Sequence, residues 1–289
     1  MTPKEYLDRY TWLFFIDPSM GIFNLVSITS YGSGWGTTER DNRPTGFLCQ
    51  QEYNGPFKTA LKFGLDPRGH ANIPAAITFP EGAPLAETFR NRTFMRNGLI
   101  RAFLGKGTPE EIRDVLQLAI ATCRVGAGRD LASHSASCVA IQEYARKFIS
   151  LDCNGLVGNY YGLNPETSIE HYAAPSKRRR TPQEVQQGDC LVTVRADGSF
   201  EHIALIESFV VGAGTPPRCT LKIVEWGQAG DESHHFSTVE RSIVQGPDAR
   251  YGIGFRSGQN NQKFRYIFAP PRDAAAEPRT RGIGGDPSR

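Results

Sequence analysis

The sequence QGDCLVTVRADGSFEHIALIESFVV, residues 187–211, contains two strand patterns separated by a turn. Apolar and β-branched residues dominate 190–194 and 202–211, as they do in half-buried or buried strands. The intervening ADGS at 196–199 has the composition of a turn. Two strands joined by so short a connection favour antiparallel pairing. This stretch therefore predicts the centre of an antiparallel sheet.

The strand pattern continues towards the C-terminus. A third strand is predicted over Cys219–Trp226, after a hairpin loop at 212–217, and the three strands together favour an antiparallel meander. Tyr251–Phe255 and Phe264–Phe268 are candidates for further strands. Residues 270–289 contain Pro, Ala, Arg and Gly without an apolar period, so we expect them to form a disordered tail.

Helical patterns precede the strands. Thr108 is a good N-cap, and Glu111 stands where a capping box requires it, so a helix is predicted to begin there. A second helix is predicted over 137–148. Residues 1 to about 100 are rich in turn-forming residues and favour loops and short strands. We therefore expect an α+β protein with an N-terminal region of unknown role at 1–104 and a catalytic domain at 105–269.

The composition is that of a folded protein. The chain has 289 residues, of which 39% are hydrophobic and 22% charged. Its net charge of +3 is too small to indicate nucleic-acid binding. The basic run Lys177–Arg180 is interpreted as a solvated surface, with an anionic partner as the less favoured alternative. No apolar stretch is long enough for a transmembrane helix, and the N-terminus lacks the pattern of a Sec signal peptide.

The cysteines are spread along the chain. There are six, and no two form a CxxC pair. This spacing argues against a disulfide framework and against a structural zinc site, so we expect no metal and no cofactor. His234 and His235 are adjacent but have no suitably spaced partner for a metal. A reducing compartment during folding is the simpler interpretation, and it leaves a thiol free.

Cys153 is the candidate nucleophile. Asp152 can cap a helix, which places Cys153 in the first turn, where backbone N–H groups and the helix dipole stabilise a thiolate. His202 heads a predicted strand, and a strand end facing a helix N-terminus suits a Cys–His pair. Glu225 is an acid flanked by apolar residues in the next strand, which is unusual unless it is paired. It would orient the imidazole, and Gln228 is the alternative third residue.

Each of these residues also has an interpretation without catalysis. Taken alone, Cys153 is more simply a buried structural thiol. His202 is then a core histidine with its hydrogen bonds satisfied, and Glu225 is a surface acid on an edge strand. The three residue types occur together and in an order suited to catalysis, and this favours the catalytic interpretation.

Four short motifs carry a resemblance to a known family. LDCNGLV at 151–157 resembles the Asp-Cys-Ser-Gly-Phe/Leu-Val nucleophile motif of NlpC/P60 cell-wall peptidases. QGDCLV at 187–192 resembles the Gly-Asp-Leu-Val strand that precedes the family histidine, and EHIALIE at 201–207 resembles the histidine strand. IVEW at 223–226 resembles the related CHAP amidases, in which a Glu on the strand after the histidine is the third catalytic residue. The resemblance covers about 105–268.

The resemblance implies a papain-like fold in which a helix bearing Cys153 packs on an antiparallel sheet bearing His202 and the third residue. Three features depart from the family. Asn154 replaces the usual serine, the spacing from the histidine to the third residue is longer, and the family tyrosine before the nucleophile has no match at the usual distance. The residues expected on the substrate and oxyanion side are Asp152, Asn154, Gln228 and Tyr144.

The implied reaction is hydrolysis of amide bonds in peptidoglycan stem peptides or cross-links. A chain made in the cytoplasm without a Sec signal would then reach the periplasm or cell wall through a holin, a phage tail or a contact-dependent secretion system. Its expected partners are an immunity protein or a component of that delivery route, and neither nucleic acid nor a membrane. Two alternatives stay open: a papain-like protease or deamidase acting on a protein, and a non-enzymatic phage structural or adaptor protein.

Overall fold

The structure is a computed structural model, and it describes most of the chain. The described residues are 1–17, 21, 23–32, 46–125, 138–213, 217–229, 232–243, 252–257 and 263–271. Within them, the side chains at 46, 47, 228, 229, 232–235 and 257 are outside the description. The tail predicted at 270–289 lies outside the described residues from 272 onwards.

The chain divides into two compact units. The N-terminal unit comprises Asp8–Asp152. The C-terminal unit comprises Met1–Leu7 together with Cys153–Arg289. The structural division therefore falls between residues 152 and 153, whereas the sequence-based division falls between 104 and 105.

The described part of the N-terminal unit contains helices, short strands and turns. Over residues 1 to about 100, the expected loops and short strands are present, but the helices there were not expected. Its described helices are α1 (Pro3–Thr11, whose first residues belong to the C-terminal unit), α2 (Gly46–Glu52), α3 (Lys58–Leu65), α4 (Arg96–Phe103), α5 (Pro109–Ala121) and α6 (Cys138–Phe148). Its described strands form two-stranded antiparallel sheets, β1 (Leu13–Ile16) with β2 (Phe23–Val26) and β3 (Ala76–Ile77) with β4 (Phe94–Met95). A π-helical segment with Pro56 inside it joins α2 to α3, so the helical path continues through residues that are typical of a turn.

Helix α5 begins as its sequence predicts. The Thr108 hydroxyl accepts a hydrogen bond from the Glu111 N–H at 3.2 Å, and the Glu111 carboxylate accepts one from the Thr108 N–H at 3.1 Å. The helix nevertheless packs against α4 and β1 within the N-terminal unit, although we expected it to open the catalytic domain. Its apolar stripe, which includes the fully buried Ile112 and Val115, is covered there.

The C-terminal unit is built on one antiparallel sheet. Its described helices are α7 (Cys153–Tyr161) and α8 (Ile169–Tyr172). Its described strands are β5 (Cys190–Val194), β6 (Phe200–Val211), β7 (Arg218–Ala229), β8 (Glu232–Ser242), β9 (Gly254–Ser257) and β10 (Lys263–Phe268). They form a six-stranded sheet in the order β8-β7-β6-β5-β10-β9, and α7 packs against β6 and β7. The α+β class with an antiparallel sheet is therefore confirmed.

The predicted meander is confirmed for β5, β6 and β7, which pair consecutively. Strand β8 extends the meander by pairing with β7 and was not predicted, because its sequence is largely polar. All five residues of β5 are buried, as expected for a strand covered on both faces. The buried core of the sheet includes Leu191, Ala204, Ile206 and Leu221, so the strands that carry the candidate site have a fixed register.

The Gly-Asp motif that precedes β5 holds a buried ion pair. Asp189 is fully buried, and Arg179 donates to its carboxylate through Nε at 2.9 Å and Nη2 at 2.7 Å. The Gln186 N–H donates to the same carboxylate at 2.9 Å. Burial raises the pKa of Asp189, and the bonds from Arg179 and Gln186 oppose that effect. Arg179 belongs to the basic run Lys177–Arg180, so the solvated-surface interpretation is wrong for this member of the run.

Candidate active site

Cys153 is the first residue of α7 and is 7% exposed. Asp152 directly precedes the helix, which is the position we predicted for a cap. The Asp152 carboxylate forms an ion pair with Lys106 Nζ at 2.6 Å. Cys153 therefore begins a helix whose first N–H groups have no partner within the helix itself. This is the local setting that favours a negatively charged sulfur.

His202 lies on β6 between a carboxylate and a thiol. Its Nε2 lies 3.0 Å from Glu225 Oε2, and the Cys153 side chain is near enough to the ring to raise its pKa. Gly227 leaves room for the ring, because a Cβ added at that position would lie 3.0 Å from His202 Cε1.

The electrostatics of this pair favour a charged imidazole. Burial opposes the charged ring, but the hydrogen bonds to Cys153 and Glu225 outweigh burial and raise the pKa of His202 to about 9. A protonated His202 beside Cys153 can act as a proton donor near neutral pH.

Glu225 lies on β7 and is held by a second partner. Arg265 Nη2 on β10 donates to Glu225 Oε2 at 2.5 Å, so one carboxylate oxygen serves both Arg265 and His202. Burial would raise the pKa of Glu225, but Arg265 and His202 together hold it well below its usual range. The side chains of Glu225 and Arg265 are 18% and 11% exposed, so water screens their attraction only weakly.

Arg265 is the residue of this site that sequence reasoning missed. Strand pairing places Thr193 opposite both His202 and Arg265, so the three residues form a row across β6, β5 and β10. A signal was present in the sequence, because Arg265 stands between Phe264 and Tyr266 in a predicted strand. Like Glu225, Arg265 is a charged residue flanked by apolar residues in a strand, which is unusual unless it is paired.

The structure brings Cys153, His202 and Glu225 together within the C-terminal unit. Tyr144 belongs to the N-terminal unit, where its hydroxyl donates to Glu52 at 3.1 Å. Glu52 also accepts a bidentate ion pair from Arg124, so Tyr144 and Arg124 share one buried carboxylate. The expected role of Tyr144 on the substrate side stays a prediction.

Asn154 and Gln228 complete the predicted set. The Asn154 amide nitrogen donates to the Thr167 carbonyl, which ties it to the loop after α7. Its Oδ1 is buried and has no hydrogen-bond partner among the described residues. The Gln228 backbone lies in β7, but its side chain is outside the description. Glu225 is thus the third residue with an observed contact to the ring.

Neither a metal site nor a membrane helix is found in the described part of the chain. No group of three or more His, Cys, Asp or Glu side chains among the described residues is arranged to hold a metal ion. The side chains of His234 and His235 lie outside the description. None of the described helices is long and apolar enough to cross a bilayer.

Comparison of the chain with models of protein families, with curated proteins and with solved structures finds no match. The site places a thiol, an imidazole and a carboxylate next to one another. Hydrolases that act through a covalent intermediate share this arrangement of side chains.

The thiol reactivities are expected to single out Cys153. At pH 6, iodoacetamide should alkylate Cys153 fastest, because it is the thiol hydrogen-bonded to the raised-pKa His202. Cys190 and Cys49 are buried, and burial raises the pKa of each thiol to about 12. The solvent-exposed Cys138 controls for access. Rates are measured by peptide mass spectrometry.

The matched control for this prediction is His202→Gln. Loss of the imidazolium should slow alkylation of Cys153 at pH 6 and leave Cys138 unchanged. Equal rates at Cys138 and Cys153 in the wild type would remove the argument for an activated sulfur.

Proposed function

We propose that this protein is a cysteine hydrolase of amide bonds, with Cys153 as nucleophile, His202 as acid and base, and Glu225 as the residue that orients His202. One observation carries the proposal: the His202 ring is held by Glu225 at 3.0 Å and lies near enough to Cys153 for that thiol to raise its pKa. A buried thiol with only a structural role has no need of a base that is itself held by a carboxylate.

The first half of the reaction acylates the enzyme. The Cys153 sulfur attacks the amide carbonyl carbon, an S–C bond forms, and the carbonyl oxygen takes the negative charge. The Cys153 N–H, in the first turn of α7, is placed to donate to that oxyanion. Protonated His202 gives its proton to the leaving nitrogen, the C–N bond breaks, and an amine leaves a thioester on Cys153.

The second half regenerates the enzyme. His202, now neutral, takes a proton from water as the water oxygen attacks the thioester carbon. The C–S bond breaks, a carboxylic acid leaves, and the thiolate and imidazolium are restored. Glu225 keeps its hydrogen bond to Nε2 throughout, so the ring presents the same nitrogen to the sulfur in both halves.

The substrate class rests on the motif resemblance. LDCNGLV at 151–157 and the histidine and glutamate strands resemble the NlpC/P60 and CHAP enzymes, which act on peptidoglycan peptides. The packing of α7 on β6 and β7 suits that papain-like arrangement. We propose peptidoglycan stem peptides or cross-links as substrate, with the periplasm or cell wall as the site of action. An immunity protein or a delivery component is the proposed partner.

The test is digestion of purified peptidoglycan by the full chain, with released peptides identified by mass spectrometry. An unfolded protein such as reduced casein serves as the competing substrate. Peptides from peptidoglycan alone support the proposal and identify the bond that is cleaved. Cleavage of casein alone would overturn the substrate class and favour the papain-like protease alternative.

A further inference from the structure

A cavity of about 520 Å³ lies in the N-terminal unit, apart from the cysteine site in its chemistry and its residues. Its wall is formed by the start of the π-helical segment, helix α3, the loop residues Asn72 and Ile73, and the first half of α4. Three basic side chains line it, Lys58, Lys62 and Arg96, and the described lining contains no acidic residue. A cleft lined by charges of one sign concentrates counter-ions, which here are anions.

The two lysines are held on one face of α3. Lys58 and Lys62 are four positions apart in the sequence, so both project from the same side of the helix. Within the described part of the chain, neither ammonium group forms an ion pair. The nearby carboxylates already have partners, since Glu52 pairs with Arg124 and Asp66 with Arg68.

Arg96 adds a positioned guanidinium. Its Nη1 donates to the Ile73 carbonyl at 3.0 Å, which fixes the group and leaves its other donors for a ligand. Arg96 and Asn97 begin α4, whose N-cap residue Met95 provides no side-chain hydrogen bond. The positive end of the helix dipole therefore adds to the three cationic side chains.

We propose that this cavity binds the phosphate or diphosphate group of a small polar ligand. Three clustered cations suit the charge of a phosphate monoester, about −1.5 to −2 at neutral pH. Arg96 offers the forked donors that phosphate oxygens accept. Asn72, Asn97 and Tyr53 also line the cavity and supply polar groups for the rest of the ligand.

The size of the cavity agrees with a small ligand, because small-molecule sites have volumes of roughly 300–1,000 Å³. Tyr53 is anchored against Phe103, with ring centroids 5.6 Å apart, so this wall of the cavity is preformed. All of the residues that line the cavity belong to the N-terminal unit. Phosphate binding there does not depend on the cysteine chemistry.

The experiment is isothermal titration calorimetry of the full chain with inorganic pyrophosphate, with citrate as a carboxylate comparator. Saturable binding of pyrophosphate is expected, and citrate should bind more weakly. The variant Lys58→Gln/Lys62→Gln should weaken binding by about tenfold or more, because each lost contact to a charged group is substantial. Lys147→Gln removes an equal charge from an exposed lysine of the same unit and should leave binding unchanged.

A second variant separates lost binding from lost folding. Asn97→Asp puts a negative charge in the cavity and also in the first turn of α4, where the helix dipole favours it. This variant should fold normally and bind pyrophosphate at least about tenfold more weakly. Absence of saturable binding to the wild type, equal affinity in all variants, or binding of citrate as tight as that of pyrophosphate would each overturn the proposal.

Discussion

Cys153→Ala is expected to abolish peptide release from peptidoglycan, whereas Cys138→Ala should leave it at the wild-type rate. The sulfur of Cys153 forms the covalent intermediate in the proposed reaction, and Cys153 is the cysteine that raises the pKa of His202. Loss of a nucleophile typically lowers turnover by about 10⁴-fold or more. Cys138 is exposed and donates to Asn24, so its removal touches none of the proposed machinery.

The measurement is the initial rate of peptide release, followed by mass spectrometry, with circular dichroism to show that each variant is folded. Cys153→Ser is the closest variant in shape, and its hydroxyl can keep the bond to His202. Its turnover should nevertheless fall, because an alcohol is far less easily deprotonated than a thiol.

The double variant Cys153→Ala/His202→Ala tests whether the two residues act as a unit. If they do, the double variant should be no slower than Cys153→Ala alone, since nucleophile and base contribute to one step. Peptide release by Cys153→Ala at a rate close to that of the wild type would assign the chemistry to other residues.

The elements that carry the site were predictable because their signals are local. The strands around His202 and Glu225 show apolar and β-branched runs bounded by turns, and these agree with β6 and β7. Cys153 stands at a helix start that Asp152 marks in the sequence. Consecutive antiparallel strands then bring the histidine and the acid together, because diagonal residues on neighbouring strands are within reach of each other.

The features that were missed depend on contacts between residues distant in sequence. Arg265 reaches Glu225 across a separation of 40 residues, and strand order alone decides whether they meet. Tyr144 was assigned to the site by its position before the nucleophile, but its hydroxyl is used by Glu52, which lies 92 residues away. Neither pairing is visible in the local pattern of the chain.

The helices before residue 104, α1 to α4, were missed for a different reason. Residues that usually break helices are tolerated there, as Pro56 is inside the π-helical segment that joins α2 to α3. Tertiary packing outweighs local preference in such segments. Strand β8 shows the same effect in a sheet, since pairing with β7 makes a strand of a largely polar sequence.

The pH dependence of the site should move in opposite directions in two variants of the carboxylate cluster. His202 must be protonated to give its proton to the leaving amine, so activity in the wild type should fall as pH rises through about 9, the pKa of His202. Glu225→Gln removes a carboxylate that raises this pKa. Its basic limb should therefore lie at lower pH, with turnover reduced by about 10²-fold or more.

Arg265→Met should have the reverse effect on the limb. Arg265 shares Oε2 of Glu225 with His202, so without it the whole charge of the carboxylate acts on the imidazolium. The pKa of His202 should then rise above about 9, and the basic limb should move to higher pH. The pKa of Glu225 should rise as well, because Arg265 is a cause of its lowering, so activity should also decline sooner on the acid side.

The profile is measured as kcat/KM for peptide release from pH 4 to about 10.5, because alkylation of the sulfur needs no proton donor and would not show the basic limb. Glu225→Gln leaves Arg265 buried without its carboxylate, so Glu225→Gln/Arg265→Met controls for the cost of that unpaired charge. A folding defect would lower the rate of both single variants, but it would not move their basic limbs in opposite directions. If the basic limbs of the wild type and of both single variants coincide, Glu225 does not set the charge state of His202. Arg265 then has no positioning role either.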